Sequence, residues 1–243
     1  MSTVPRYDFV LFDADHTLFD FDRAEHRALR QTLEAYGYPF NEETQTCYQT
    51  INNDLWARLN RGEVEQSWLL VERFAAFLRA MGGDHDPAEM NRDYLARLAQ
   101  GGDVFPGAEE LCRALAPYCA LAIVTNGVAS AQHGRFARSP LRDLFPHVFI
   151  SEEVGYAKPD PRFFQVVVDR LGIRDTRRAV VVGDNLISDI GGGNAAGMDT
   201  IWYNPGRFPP WAPPVPTWEA ADYPSIEAIL LPEYAGSERT ATR

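Results

Sequence analysis

The chain has 243 residues, a formal net charge of -11, 45% hydrophobic and 23% charged residues. That composition is of an ordinary globular protein, long enough for one large domain or for one carrying a smaller insertion. The acidic balance argues against nucleic-acid polymers and anionic membranes as partners, because both need a basic surface, and no apolar run approaches the ~20 residues of a membrane helix.

The first element is "YDFVLFDADHTLFDFD", an apolar run over Phe9 to Phe12 that ends in Asp13 and Asp15. Two carboxylates so close together repel each other, and burial raises the cost of charging them. A strand that leaves the core into a polar turn explains the pair as well as a carboxylate site does. The rest of the chain must decide.

From about Asp22 to Gly102 the pattern is helix after helix. Asp22 with Glu25 predicts a capping box, followed by Ala24, Ala28, Leu29, Leu33 and Tyr36 at helical spacing and Gly37 at the C-terminal end. "NNDLWARLNRG" and "SWLLVERFAAFLRAMGG" predict two further amphipathic helices, and "DPAE" at Asp86 to Glu89 predicts another helix start. After "VFPGAEEL" apolar strands alternate with helices: "LAIVTNG", "HVFISEEVGYAKPDP", "DPRFFQVVVDRLG", "RAVVVGDNLISD" and "MDTIWYN". Such alternation predicts an α/β fold, a doubly wound parallel sheet covered on both faces. The core is expected over 1–19 and 103–243, with an inserted helical cap over 20–102. The Pro-rich "NPGRFPPWAPPVPTW" reads as a surface loop before a last short strand and helix, and "AGSERTATR" as a disordered end.

Ligands of open parallel sheets bind beyond the carboxyl ends of the strands. Asp13 and Asp15, Thr125 and Asn126, Lys158, then Asp184 and Asp189 all follow apolar runs at such ends. Their convergence predicts a phosphoryl-transfer site. Three carboxylates suit a hard cation such as Mg²⁺, while Lys158 and the Thr125 hydroxyl suit phosphate oxygens.

In this order "DADHT", "VTNG", the lysine of "AKPDP" and "GDNLISD" resemble the four motifs of the haloacid dehalogenase superfamily of phosphohydrolases. "FDADHTLFDFDRAE" with "ISEEVGYAKPDPRFF" is similar to its bacterial pyrimidine 5'-nucleotidase branch. The resemblance implies Asp13 as nucleophile and Asp15 as general acid and base. It further implies Asp13, Asp184 and the backbone carbonyl of Asp15 as Mg²⁺ ligands. Thr125, the Asn126 amide and Lys158 would hold phosphate, and Asp189 would orient Lys158 or a metal-bound water. Ser188-Asp189 also reads as a helix N-terminus, and His16 as facing solvent or shaping its loop. The implied partner is a small phosphomonoester: a nucleoside monophosphate, with a sugar phosphate as the alternative.

Other functions fit less well. A 2-haloacid dehalogenase needs neither Asp15 nor Asp184, and a phospho-acceptor receiver lacks the helical insertion. Trp56 and Trp68 flank the turn between two cap helices, where either could border the substrate or simply pack helices together. Cys47, Cys112 and Cys119, odd in number and without a C-x-x-C pair, predict reduced thiols in a cytoplasm. The N-terminal residues show no basic-then-apolar leader.

Overall fold

The computed structural model describes residues 5–232; the C-terminal stretch from Ala235 expected to be disordered lies outside them. Six strands form one sheet: β1 (Phe9–Phe12), β2 (Ala120–Thr125), β3 (His147–Ile150), β4 (Ala179–Gly183), β5 (Asp199–Tyr203) and β6 (Trp218–Ala220). The order is β3-β2-β1-β4-β5-β6 and every neighbouring pair is parallel. The last strand does follow the Pro-rich loop.

Alternation along each strand sends side chains to opposite faces. Val10, Phe12, Leu121, Ile123, Val180 and Val182 pack with α5 (Ala108–Leu115) and α10 (Tyr223–Leu230). Leu11, Ala122, Val124 and Val181 pack on the other face with Phe163, Phe164 and Val167 of α8 (Pro161–Leu171). A sheet covered on both faces explains why its strands read as continuous apolar runs.

Four helices lie between β1 and β2 ahead of α5: α1 (Phe21–Ala35), α2 (Glu42–Asn60), α3 (Gln66–Met81) and α4 (Pro87–Leu98). They have their own core, in which Tyr48, Phe74, Phe77, Met90 and Tyr94 are buried. That core extends onto Val128 and Ala131, at the start of α6 (Ala129–Arg138). Helix α7 (Ser151–Val154) follows β3, and α9 (Gly192–Ala195) precedes β5.

Two local expectations are corrected. The N-cap of α1 is Asp20, whose carboxylate accepts from the Arg23 amide, and not Asp22. Asp22 accepts instead from the His16 imidazole at 2.9 Å, and Glu25 turns inward. Ser188-Asp189 does not open a helix: both lie inside a π-helical turn, Leu186–Gly191, capped by Asn185. The Asn185 side chain accepts from the amides of Ile187 and Ser188, a capping residue three positions before Ser188.

Candidate active site

The sheet register sets the site. Phe12 pairs with Ile123 on one side and Val182 on the other, and the Asp13 amide donates to the Val182 carbonyl at 2.8 Å. Asp13 therefore emerges level with the ends of β2 and β4. Its carboxylate is buried and accepts from Lys158 Nζ at 2.7 Å. Lys158, 3% exposed, also donates to Asp189 at 2.6 Å and to the Val124 carbonyl at 2.7 Å. All three ammonium protons are used within the protein.

Carboxylate oxygens of Asp13, Asp184 and Asp189 lie within 4.8 Å of one another. Burial pushes the Asp13 carboxyl well up; Lys158 opposes this, while Asp189 and Asp184 add to it. Burial and Asp189 push Asp184 up to about 7, against the pull of His16 and Lys158. For Lys158 burial disfavours the charge, but Asp13 and Asp189 outweigh it and hold the ammonium above its usual range. The site thus concentrates more negative charge than its one lysine offsets, which is the electrostatic setting for a cation. Asp189 has both oxygens engaged, one by Lys158 and one by the Asn185 amide at 3.1 Å. Asp13 likewise accepts from Lys158 on one oxygen and, at 3.3 Å, from the Thr17 hydroxyl on the other, which leaves Asp184 the freest of the three carboxylates.

Thr125 ends β2, and its hydroxyl accepts from the Gly127 amide and from Gln132 Nε2. The Asn126 side chain clamps the backbone of Lys158, donating to its carbonyl and accepting from its amide, both at 2.8 Å. Asp15 stands apart from the carboxylate cluster. Its oxygens are held by Gln132 Nε2 at 2.7 Å and by the Arg135 guanidinium.

Above these groups a cavity of about 670 Å³ opens between sheet and helical insertion. Asp13, Asp15, His16, Thr125 and Asn126 line its floor, and Glu25, Asn52, Trp56 and Arg73 line it from the insertion. Burial raises the Glu25 carboxyl against the opposing Arg73. Trp56 borders the cavity, whereas Trp68 is 44% exposed, stacks under the Arg58 guanidinium at 5.4 Å and does not line it.

The haloacid dehalogenase-like hydrolase family model matches residues 7–197. The chain belongs to this family. Among haloacid dehalogenase-like hydrolases it is 36% identical to the pyrimidine 5'-nucleotidase PynA of Streptococcus pneumoniae, over 90% of this chain and 93% of the relative. It is 32% identical to the pyrimidine 5'-nucleotidase YjjG of Escherichia coli, over 93% and 98%. The crystal structure of the HAD-hydrolase YfnB of Bacillus subtilis, bound to magnesium and revealing interdomain movement, matches with a TM-score of 0.88 at 35% identity, covering 93% of this chain and 99% of that one.

Several lining residues of this hydrolase carry no signal in the sequence. Gln132 and Arg135 lie on α6, one turn apart, and read there as ordinary polar positions of a helix. Glu25, Asn52 and Arg73 come from three different helices of the insertion. Trp211, 56% exposed, reaches the cavity from the Pro-rich loop that reads as mere surface.

Proposed function

We propose that the chain is a Mg²⁺-dependent phosphomonoesterase that hydrolyses pyrimidine nucleoside 5'-monophosphates through an aspartyl phosphate on Asp13. The observation that carries the reading is the meeting of Asp13 and Asp184, at the ends of the neighbouring strands β1 and β4, with Lys158 from the loop before α8, below a cavity roofed by inserted helices. The likeness to PynA and YjjG over nine-tenths of the chain supports the substrate class.

In this reading an Asp13 carboxylate oxygen attacks phosphorus and the bond to the leaving oxygen breaks, with Asp15 supplying that oxygen's proton. Asp15 then takes a proton from the water that attacks the aspartyl phosphate, and phosphate leaves with Asp13 restored. Thr125 and the Asn126 amide hold the phosphoryl oxygens as charge shifts among them, and Lys158 neutralises that charge from beside Asp13, sharing with the phosphate the proton it otherwise gives to Asp13. Asp13, Asp184 and the Asp15 carbonyl hold Mg²⁺, with Asp189 fixing Lys158. When bound, the cation supplies positive charge that offsets both the clustered carboxylates and the phosphate. A 2-haloacid dehalogenase would give Asp184 and Asp15 no such work.

Residues 20–102 act as a cap domain over the 1–19 and 103–243 core. Among the described residues no helix is long and apolar enough to cross a membrane, and the free thiols favour action in the cytoplasm. The test is phosphate release across nucleoside monophosphates and sugar phosphates, with Mg²⁺ and with excess chelator. Uridine or thymidine monophosphate should lead, and chelator should abolish turnover. Turnover of sugar phosphates with inert nucleotides would replace the substrate, and full activity in chelator would sink the metal.

A further inference from the structure

Among the described residues Arg135 is the largest fully buried side chain, 1% exposed, and its ion-pair partner is Asp15. Its Nε donates to the Gly101 carbonyl at 3.1 Å, in the segment that returns from the helical insertion to the core. Its guanidinium also sits 5.1 Å from the Phe19 ring and 5.4 Å from the Phe21 ring, in the segment that leaves the core. One core side chain therefore touches both connections of the insertion together with Asp15.

Gln132, one turn earlier on α6, donates to Asp15 Oδ2 at 2.7 Å and to Thr125 Oγ1 at 3.3 Å. This amide fits only because residue 127 is glycine: a Cβ there would fall 2.1 Å from Gln132 Nε2. Burying an arginine and a glutamine amide is costly unless they are well paired. Here both are paired to one carboxylate, with Arg135 Nη2 left buried and without a hydrogen-bond partner.

We infer that Gln132 and Arg135 are positioning residues that fix the Asp15 carboxylate against the phosphate-holding Thr125 on one side and against both insertion segments on the other. The inference rests on Asp15 serving as the acid of the proposed reaction. Hydrogen bonds to both oxygens fix the plane of the carboxyl group, so that in its protonated form a proton on a remaining lone pair of one oxygen is aimed at one leaving oxygen. Neither residue hydrogen-bonds the carboxylates of Asp13 or Asp184. They act through Asp15.

A misplaced acid harms poor leaving groups far more than good ones, so the readout is the ratio of kcat/KM for a small alkyl phosphate to that for nitrophenyl phosphate. This quantity covers only the steps up to formation of the aspartyl phosphate. In Gln132→Leu, and in Arg135→Met if it folds, the ratio should fall at least about tenfold, within the range general acid catalysis supplies. Asp15→Asn should lower the ratio at least as far, and adding Gln132→Leu to it should lower the ratio no further, because residues acting in one chain are not additive. A ratio unchanged in Gln132→Leu, or one that falls again on the Asp15→Asn background, overturns the positioning role and leaves the acid intact. An unchanged ratio in Asp15→Asn alone removes Asp15 as the acid and the positioning role with it.

Discussion

Asp13 is buried, faces two further carboxylates and is held by one shared lysine. An asparagine there keeps shape but lacks the nucleophilic oxygen, and Lys158 would keep Asp189 as its partner. Asp13→Asn should therefore abolish phosphate release while the metal-free melting temperature stays level or rises, since one disfavoured buried charge is gone. Measurable turnover in a protein of verified sequence would remove Asp13 as nucleophile. Trp56 is the second case at this scale. Stacking of a base on an aromatic ring is worth about 1–3 kcal/mol, or roughly five- to more than a hundredfold in affinity. Trp56→Ala should raise KM for a pyrimidine monophosphate by at least about fivefold relative to KM for nitrophenyl phosphate. Parallel loss on both substrates would return Trp56 to helix packing and shift attention to Trp211, which lines the same cavity.

Gly191, Gly192 and Gly193 follow the last carboxylate of the site, although each costs a helix about 1 kcal/mol relative to alanine. Their packing explains the choice. A Cβ on Gly193 would fall 2.7 Å from Thr200 Cγ2 and 3.0 Å from Val181 Cγ2, and one on Gly192 would fall 2.5 Å from the Phe164 ring. Helix α9 thus lies directly on β4 and β5, and that seating anchors the π-helical turn carrying Asp189. The nearest atom to a Cβ on Gly191 is Pro214 Cγ at 3.2 Å, in the Pro-rich loop. Gly193→Ala should lower stability by about 1–3 kcal/mol through overpacking, whereas Gly191→Ala should change it by under about 1 kcal/mol. Denaturant midpoints measure both. Equal effects would mean that helix propensity, not contact with the sheet, sets their tolerance.

At the scale of the whole molecule, net charge -11 is met by a site that gathers still more negative charge. Asp184 stands at about 7 in the fold against about 4 unfolded, so the folded state holds this proton more tightly. Its contribution to metal-free stability is present at low pH and is lost as pH rises from about 4 through about 7. At His16, a part-exposed side chain, desolvation opposes the charge, but Asp22, Asp184 and Asp15 together outweigh it and raise the imidazole to about 9. Its contribution is therefore lost as pH climbs from about 6.5 to that value. A bound cation offsets the carboxylate repulsion and binds the deprotonated form best. The gap between melting temperatures in Mg²⁺ and in chelator should therefore widen from about pH 5 to about pH 8. A gap that stays constant or narrows would contradict a metal held by Asp184.

Much of this hydrolase was legible in the sequence because its signals are local. A parallel sheet buried on both faces forces continuous apolar runs, and the polar residues ending β1, β2 and β4 stand out against them. Asp13, Thr125 and Asp184 are visible for that reason. Helix starts were less secure where several acids compete: Asp20 and Asp22 offer the same capping chemistry, and only the pairing of Asp22 with His16 assigns the cap to Asp20. The cavity was not legible. Its walls come from α1, α2, α3, α4, α6 and a proline-rich loop, which meet only in the folded chain, and no pattern within one helix marks which of its faces the others will enclose. Whether Arg135 on an amphipathic helix faces water or buries beside Asp15 depends on where α4 and the returning segment dock. The sequence determined which residues could do the chemistry, since strand ends are fixed by hydrophobic pattern; tertiary packing alone decided which side chains surround them, since those contacts join residues far apart in the chain.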